Sequence, residues 1–88
     1  MPTISKQVAI EKQYPIGTYF IQTILIPNSY TKQEAITWLK KNNLRHEYYR
    51  KTKHFHHFMQ HNPIEGSRYL TKNLPNGIEL VYQRFKIP

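Results

Sequence analysis

Cysteine and aspartate are both absent from this sequence of 88 residues. Without cysteine the chain can form neither a disulfide bond nor a thiolate metal site, which suits an intracellular protein. Without aspartate, no Asp carboxylate can orient a catalytic histidine, and the three glycines form neither a phosphate-binding loop nor a nucleophile elbow. We therefore predict a protein that is not an enzyme and that uses no cofactor.

Long hydrophobic runs are also lacking. No apolar stretch approaches the roughly 20 residues that cross a membrane, and residues 1–13 lack the apolar segment of a signal peptide. A chain of this length buries only about 60–65% of its unfolded surface, so one small domain with a modest core is expected. We expect it to be soluble and intracellular, with no membrane partner.

Acidic residues are few, and the charge is therefore strongly positive. Thirteen lysines and arginines face five glutamates, which gives a net charge of +8 with neutral histidines. Such a surplus attracts polyanions, and nucleic acid is the partner that we predict first. This prediction assumes that the cations gather on one side of the folded chain.

The N-terminal half predicts an extended segment followed by a central strand. Val8 and Ile10 alternate with polar neighbours, so residues 1–17 are expected as an N-terminal arm or edge strand ahead of a single α+β domain over residues 18–88. Residues 18–27 are apolar on both faces, as in a central strand. The alternation places Phe20, Ile24 and Ile26 on one face and Tyr19, Ile21 and Leu25 on the other.

A helix with clear end signals follows this strand. Thr31 and Glu34 have the spacing of a capping box, in which each side chain bonds the backbone of the other residue. Asn42 and Asn43 are suitable stop residues. The predicted buried stripe consists of Ala35, Ile36, Trp38 and Leu39.

The C-terminal half predicts further strands. Residues 45–52 and 54–60 read as two short strands, and residues 69–72 and 78–84 as a hairpin around Pro75-Asn76-Gly77. The order is one strand, one helix, then three or four strands. We therefore predict an α+β fold in which one α-helix packs on a mainly antiparallel sheet of four to five short strands.

Four of the five histidines fall within residues 54–61. Strand alternation puts His54 and His56 on one face, where the pair could chelate a metal ion if His46, His61 or a glutamate supplied a third ligand. The alternative is a half-exposed strand whose imidazoles gain charge as the pH falls toward about 6.5. The incomplete ligand set favours this second interpretation, and we predict neither a metal site nor catalytic residues.

A basic and aromatic stretch covers residues 40–53, where six of fourteen residues are Lys or Arg. Cations beside exposed rings are typical of surfaces that bind single-stranded nucleic acid. On a strand, one of the adjacent Tyr48 and Tyr49 must face the core, so at most one is a free platform. The candidate binding residues are Lys40, Lys41, Arg45, Tyr48, Tyr49, Arg50, Lys51 and Lys53.

Residues 19–84 also carry an ordered set of motifs. "IQTILIPNSYTKQEAITWLKKNNL", "HFHHFMQHNP" and "RYLTKNLPNGIELVY" together resemble a small uncharacterised domain family of phages and large (nucleocytoplasmic) DNA viruses. The chain departs from the family pattern where arginine is usual, with His57 and Met59 in the third strand and Leu70 before Thr71-Lys72. The resemblance implies a viral origin and the α+β fold, and it implies no particular activity.

Two functions follow from these observations. The first is a small basic viral domain that binds DNA or RNA without catalysis, in the host cytoplasm or nucleus or in the virion. The second is an adaptor or virion component that binds a viral or host protein without touching nucleic acid, since seven tyrosines in so short a chain are suited to a protein interface. A homodimer remains open in either case.

Overall fold

The computed structural model describes residues 2–87, and these form one antiparallel sheet of five strands with two helices. The helices are α1 (Lys6–Glu11) and α2 (Lys32–Lys41), and the strands are β1 (Phe20–Pro27), β2 (Tyr49–Lys51), β3 (Phe55–Met59), β4 (Arg68–Asn73) and β5 (Glu79–Arg84). The strand order is β2-β3-β1-β5-β4, and every neighbouring pair is antiparallel. The predicted α+β class is confirmed, with two helices where the sequence indicated one.

Helix α2 begins and ends at the residues that the sequence indicates. The Thr31 hydroxyl accepts a hydrogen bond from the Glu34 N–H at 3.1 Å, and the Glu34 carboxylate accepts one from the Thr31 N–H at 2.9 Å. Asn42 caps the C-terminus, and Asn43 follows in the left-handed region at φ 57°. The capping box satisfies two backbone donors that would otherwise lack partners at the N-terminus.

The main core lies between α2 and one face of the sheet, which we call the helix face. Ala35 and Leu39 are fully buried, and they pack in one cluster with Ile24, Ile26 and Phe58. The opposite side of the sheet is called the open face. Its residues alternate with those of the helix face along each strand.

Strand β1 contains a bulge between Ile21 and Thr23, where its register with β5 shifts by one residue. The prediction that Phe20 shares a face with Ile24 and Ile26 is therefore wrong, because the extra residue reverses the alternation. Ile21 packs against the main core, whereas Phe20 joins a second hydrophobic cluster.

This second cluster gives the first 17 residues a different structure from the one expected. Lys6–Glu11 form helix α1 in place of an arm or edge strand, and the Ser5 hydroxyl accepts a hydrogen bond from the Val8 N–H at 3.2 Å. Ala9 is fully buried against Ile64 and Phe85. A helix is favoured over an extended segment here because it places Ala9 against this cluster. The local alternation of apolar and polar residues does not reveal this contact with distant residues.

Gln83 fixes the loop that connects β3 to β4. Its side chain is fully buried, its amide donates to the Asn62 carbonyl at 2.8 Å, and its carbonyl accepts from the Ile64 N–H at 3.1 Å. Both ends of the buried amide are thus paired, as a polar group in a core requires. The loop is held against β5 in this way, and its last residues lead into β4.

The β4–β5 hairpin turns through residues 74–78, with Gly77 at φ +88°, a value that favours glycine. All six residues of β4 are exposed, and the strand pairs only with β5. Strand β4 is therefore an edge strand that adds no buried side chain to either cluster.

Replacement of Thr31 by alanine should lower the free energy of unfolding by about 1 kcal/mol, because the cap is lost. Thr37→Ala is the matched control, since the Thr37 hydroxyl bonds only the Gln33 carbonyl within the same helix. The control should be neutral or slightly stabilising, because alanine has the higher helix propensity. Urea denaturation of both variants measures the difference, and equal losses would contradict the role assigned to the capping box.

Candidate nucleic-acid interface

The alternation of β2 divides the predicted binding patch between the two faces of the sheet. Tyr49 lies opposite Phe58 of the helix face and packs against the main core. Arg50 lies opposite His57, and both belong to the open face. The two adjacent tyrosines therefore face opposite ways, and Tyr48 is the more exposed of the two.

A cleft lies beside Tyr48 at the N-terminal end of β2. The Tyr48 side chain is 44% exposed, and the Arg45 guanidinium carbon lies 5.3 Å from the centre of its ring. The cleft has a volume of about 410 Å³. We call it the Tyr48 cleft; its lining residues are Glu47, Tyr48, Tyr49, Arg50 and Met59.

Arg45 has a structural role beside this cleft. Its Nε donates to the Glu47 carboxylate at 2.7 Å, and its Nη1 donates to the Gln60 carbonyl at 3.2 Å. The hydrogen bond to Glu47 raises the pKa of Arg45, against a smaller opposing effect of burial. Because Arg45 neutralises the one acid of the cleft, Arg50 remains as its unpaired cation among the described residues.

The other predicted residues do not line the cleft. Lys40 and Lys41 occupy the last turn of α2, where they complement the negative end of the helix dipole. Lys51 is exposed at the end of β2 and belongs to the helix face. Lys53 is exposed in the turn before β3. Of the eight candidates, the structure brings three into the cleft and places Arg45 against it.

His57 lies on the open face next to Arg50. Its Nε2 is 2.9 Å from the Thr52 hydroxyl oxygen. Burial lowers the pKa of His57, and the positive charge of Arg50 lowers it further. The imidazole is thus held in its neutral form to lower pH than a free histidine.

His56 belongs to the main core. Its ring is almost fully buried, its Nε2 donates to the Tyr30 carbonyl at 2.8 Å, and its Nδ1 lies 2.7 Å from the Tyr49 hydroxyl. Both nitrogens are therefore engaged within the protein, which leaves the His54–His56 pair without the free imidazole that chelation requires. No group of three potential ligands among His and Glu side chains comes together in residues 2–87.

Cations lie at both edges of the sheet, which corrects the expectation that they gather on one side, so the case for nucleic-acid binding depends on one local cleft and not on a single charged surface. Arg50 and Lys51 belong to the β2 edge, and Arg68 and Lys72 belong to the β4 edge. Five strands at about 4.8 Å spacing separate these edges by roughly 19 Å.

A second group of cations was not found by sequence reasoning. Arg68 and Arg84 are register partners in the β4–β5 hairpin, and their side chains line a cavity of about 170 Å³. We call this the basic cavity; its lining residues are Lys6, Gly66, Arg68, Arg84 and Lys86. These residues are far apart in the sequence, and the pairing of Arg68 with Arg84 across the predicted hairpin is the one signal that could have revealed them.

Comparison with protein-family models, with characterised proteins and with solved structures finds no match to this chain. The resemblance to a viral domain family therefore remains a prediction. In residues 2–87, neither helix has the length and apolar character needed to cross a membrane.

Replacement of Arg50 by glutamine should raise the pKa of His57 toward its ordinary value of about 6.5, because one of the two causes of the lowering is removed. Lys51→Gln removes the same charge on the other face and should leave this pKa unchanged. Histidine ring resonances followed by NMR over pH 4–9 would measure both.

The lowered pKa also gives stability a pH dependence. The folded state disfavours the charged imidazole of His57, so the contribution of its neutral form to the free energy of unfolding is complete above the unfolded pKa of about 6.5 and is lost as the pH falls through the lowered folded pKa.

An unchanged His57 pKa in Arg50→Gln would contradict the electrostatic coupling between Arg50 and His57 across the open face.

Proposed function

We propose that this protein is a non-catalytic nucleic-acid-binding domain that holds a single strand in the Tyr48 cleft. The observation that carries the proposal is the exposed Tyr48 ring beside the unpaired Arg50 in one cleft at the edge of the sheet. The viral origin implied by the sequence resemblance is part of this proposal, with a viral genome or transcript as the partner.

Stacking supplies the contact with a base. An exposed aromatic ring stacks on any base, and each such contact contributes about 1–3 kcal/mol. Arg45 already lies against the Tyr48 ring, and its bonds to Glu47 and Gln60 fix its position. The ring is therefore preorganised, so little freedom remains to be lost when a base arrives.

Ionic contacts supply the attraction to the backbone. Arg50 lines the cleft, Lys51 and Lys53 are exposed nearby in the chain, and the net charge of +8 draws a polyanion toward the surface. A single strand suits this arrangement better than a duplex, because bases must be unstacked to meet an aromatic ring. Weak sequence selectivity is expected, since neither stacking nor phosphate contact reads base edges.

Replacement of Tyr48 by alanine should weaken the binding of a single-stranded oligonucleotide about 5- to 150-fold, because the stacking contact is lost. Tyr69→Ala is the matched control, since Tyr69 is 49% exposed on a strand at the opposite edge of the sheet. Fluorescence anisotropy with a labelled oligonucleotide would measure both affinities.

The same titrations at several salt concentrations test the ionic part of the proposal. Arg50→Gln should flatten the log–log salt dependence by about 0.7 if Arg50 contacts one phosphate of a single strand. An affinity that is equal in the wild type, Tyr48→Ala and Arg50→Gln would refute the Tyr48 cleft as the binding site.

A protein partner is the second candidate function, and strand β4 favours it. Tyr69 and Leu70 are about half exposed at 49% and 52%. Within residues 2–87, no strand pairs with the outer side of β4. An edge of this kind accepts a strand from another chain through backbone hydrogen bonds.

If a second copy of the chain pairs along β4, the wild type should sediment as a dimer, and Leu70→Lys should shift it toward the monomer because the charge opposes edge pairing. Ile16→Lys is the control, since Ile16 is similarly exposed and lies outside every strand. Analytical ultracentrifugation would show the difference. A wild type that remains monomeric at high concentration would remove the homodimer from consideration.

A further inference from the structure

The basic cavity brings together four positive charges. Its described lining consists of Lys6, Arg68, Arg84 and Lys86 together with Gly66, with no Glu side chain among them. In residues 2–87 the single ion pair is Arg45–Glu47, which involves none of these cations.

The arrangement is unfavourable for the protein alone. Arg68 and Arg84 face each other directly across the β4–β5 hairpin, and like charges at opposed strand positions are destabilising. Lys86 follows two residues after Arg84 and adds a further charge to the same cavity. An anion that entered the cavity would relieve this repulsion.

One of the cations is oriented before any ligand arrives, and a second lies beside the loop at Gly66. The Arg84 guanidinium carbon lies 5.0 Å from the centre of the Tyr19 ring, a cation–π contact that orients the side chain. The end of the Lys6 side chain lies beside Gly66, within the distance of an ordinary van der Waals contact for a methyl group at this position. Gly66 has φ +72°, a conformation that favours glycine and shapes the loop under Lys6.

The size and donor set of the cavity define the kind of anion. Its volume of about 170 Å³ is several times the roughly 30 Å³ that one water molecule occupies, so a tetrahedral oxyanion fits. The two guanidinium groups offer forked donors that match phosphate oxygens, and the two lysines add compact charges. Four cations are suited to the charge of nearly −2 that a phosphate monoester carries at neutral pH.

We infer that the basic cavity is a binding site for a phosphate monoester group. The site goes beyond the proposed function, because it lies at the β4–β5 side of the sheet and uses no residue of the Tyr48 cleft. Two sources have this chemistry, a small phosphorylated molecule and the 5′-terminal phosphate of a nucleic-acid strand.

The first experiment uses inorganic phosphate as the probe, added at constant ionic strength with chloride as the balancing anion. Saturable shifts of the Gly66 amide in NMR spectra are expected for the wild type. The double variant Arg68→Gln/Lys86→Gln should bind phosphate at least about tenfold more weakly, because charge-assisted hydrogen bonds are lost. Lys12→Gln/Lys72→Gln is the matched control, since it removes two exposed cations that do not line the cavity.

Thermal unfolding separates a binding site from a structural cluster. In chloride alone, Arg68→Gln/Lys86→Gln should be at least as stable as the wild type, because both side chains are exposed and repulsion is relieved. In phosphate the wild type should gain melting temperature and the variant should not. A variant that is less stable than the wild type in chloride would contradict the inference, since these side chains would then support the fold themselves.

The second experiment distinguishes the two sources. A 5′-phosphorylated oligonucleotide that binds the wild type more tightly than its 5′-hydroxyl counterpart, with the preference lost in Arg68→Gln/Lys86→Gln, would assign the cavity to a strand end. Saturable phosphate binding without this preference would assign it to a small phosphorylated molecule.

Two outcomes would overturn the inference: phosphate binding by the wild type that is no stronger than chloride binding, or equal phosphate binding by Arg68→Gln/Lys86→Gln. Tyr48→Ala should retain phosphate binding whether or not the wild type binds oligonucleotides. Failure of the proposed function and failure of this inference are therefore distinguishable.

Discussion

The extra residue in β1 is the constraint on which the rest of this small domain depends. Strand β1 lies in the centre of the sheet, and the bulge between Ile21 and Thr23 lets it supply apolar side chains to two separate clusters. Before the bulge, Phe20 packs with the N-terminal helix and the loop ahead of β4; after it, Ile24 and Ile26 pack under α2. A strand with uninterrupted alternation would direct Phe20 to the same face as Ile24, away from the N-terminal cluster, and would turn Ile21 away from the main core.

The two clusters determine which surfaces remain available for binding. Helix α2 covers the middle of the helix face, and the N-terminal cluster gathers around the β1–β5 end where Phe20 and Phe85 meet. The β2 side of the open face and the whole of β4 are left exposed. The Tyr48 cleft and the basic cavity lie in these two regions.

Local signals in the sequence were sufficient for the elements that are stabilised locally. The Thr31–Glu34 capping box, the stop at Asn42 and the turn at Gly77 each depend on residues within a few positions of one another, and the structure contains all three. Strand alternation alone also predicts that Tyr48 and Tyr49 face opposite sides of the sheet. The bulge in β1, the helix at Lys6–Glu11 and the basic cavity depend on contacts between distant segments, so periodicity within a short window could not predict them. The sequence identified Arg50 as a candidate, but it did not indicate which of the nearby cations Glu47 would engage, and in the structure this is Arg45.

The absence of buried side chains on β4 has a consequence for how the domain moves. Since no β4 side chain contributes to either hydrophobic cluster, this strand can separate from β5 without disrupting the main core, and its amides should exchange with solvent ahead of those in β1 and β3. One wall of the basic cavity, the Arg68 side chain, therefore belongs to an edge strand that buries no side chain. An anion held between Arg68 and Arg84 would link β4 to β5. Occupancy of the cavity would therefore slow the exchange of backbone amides with solvent along the whole of β4.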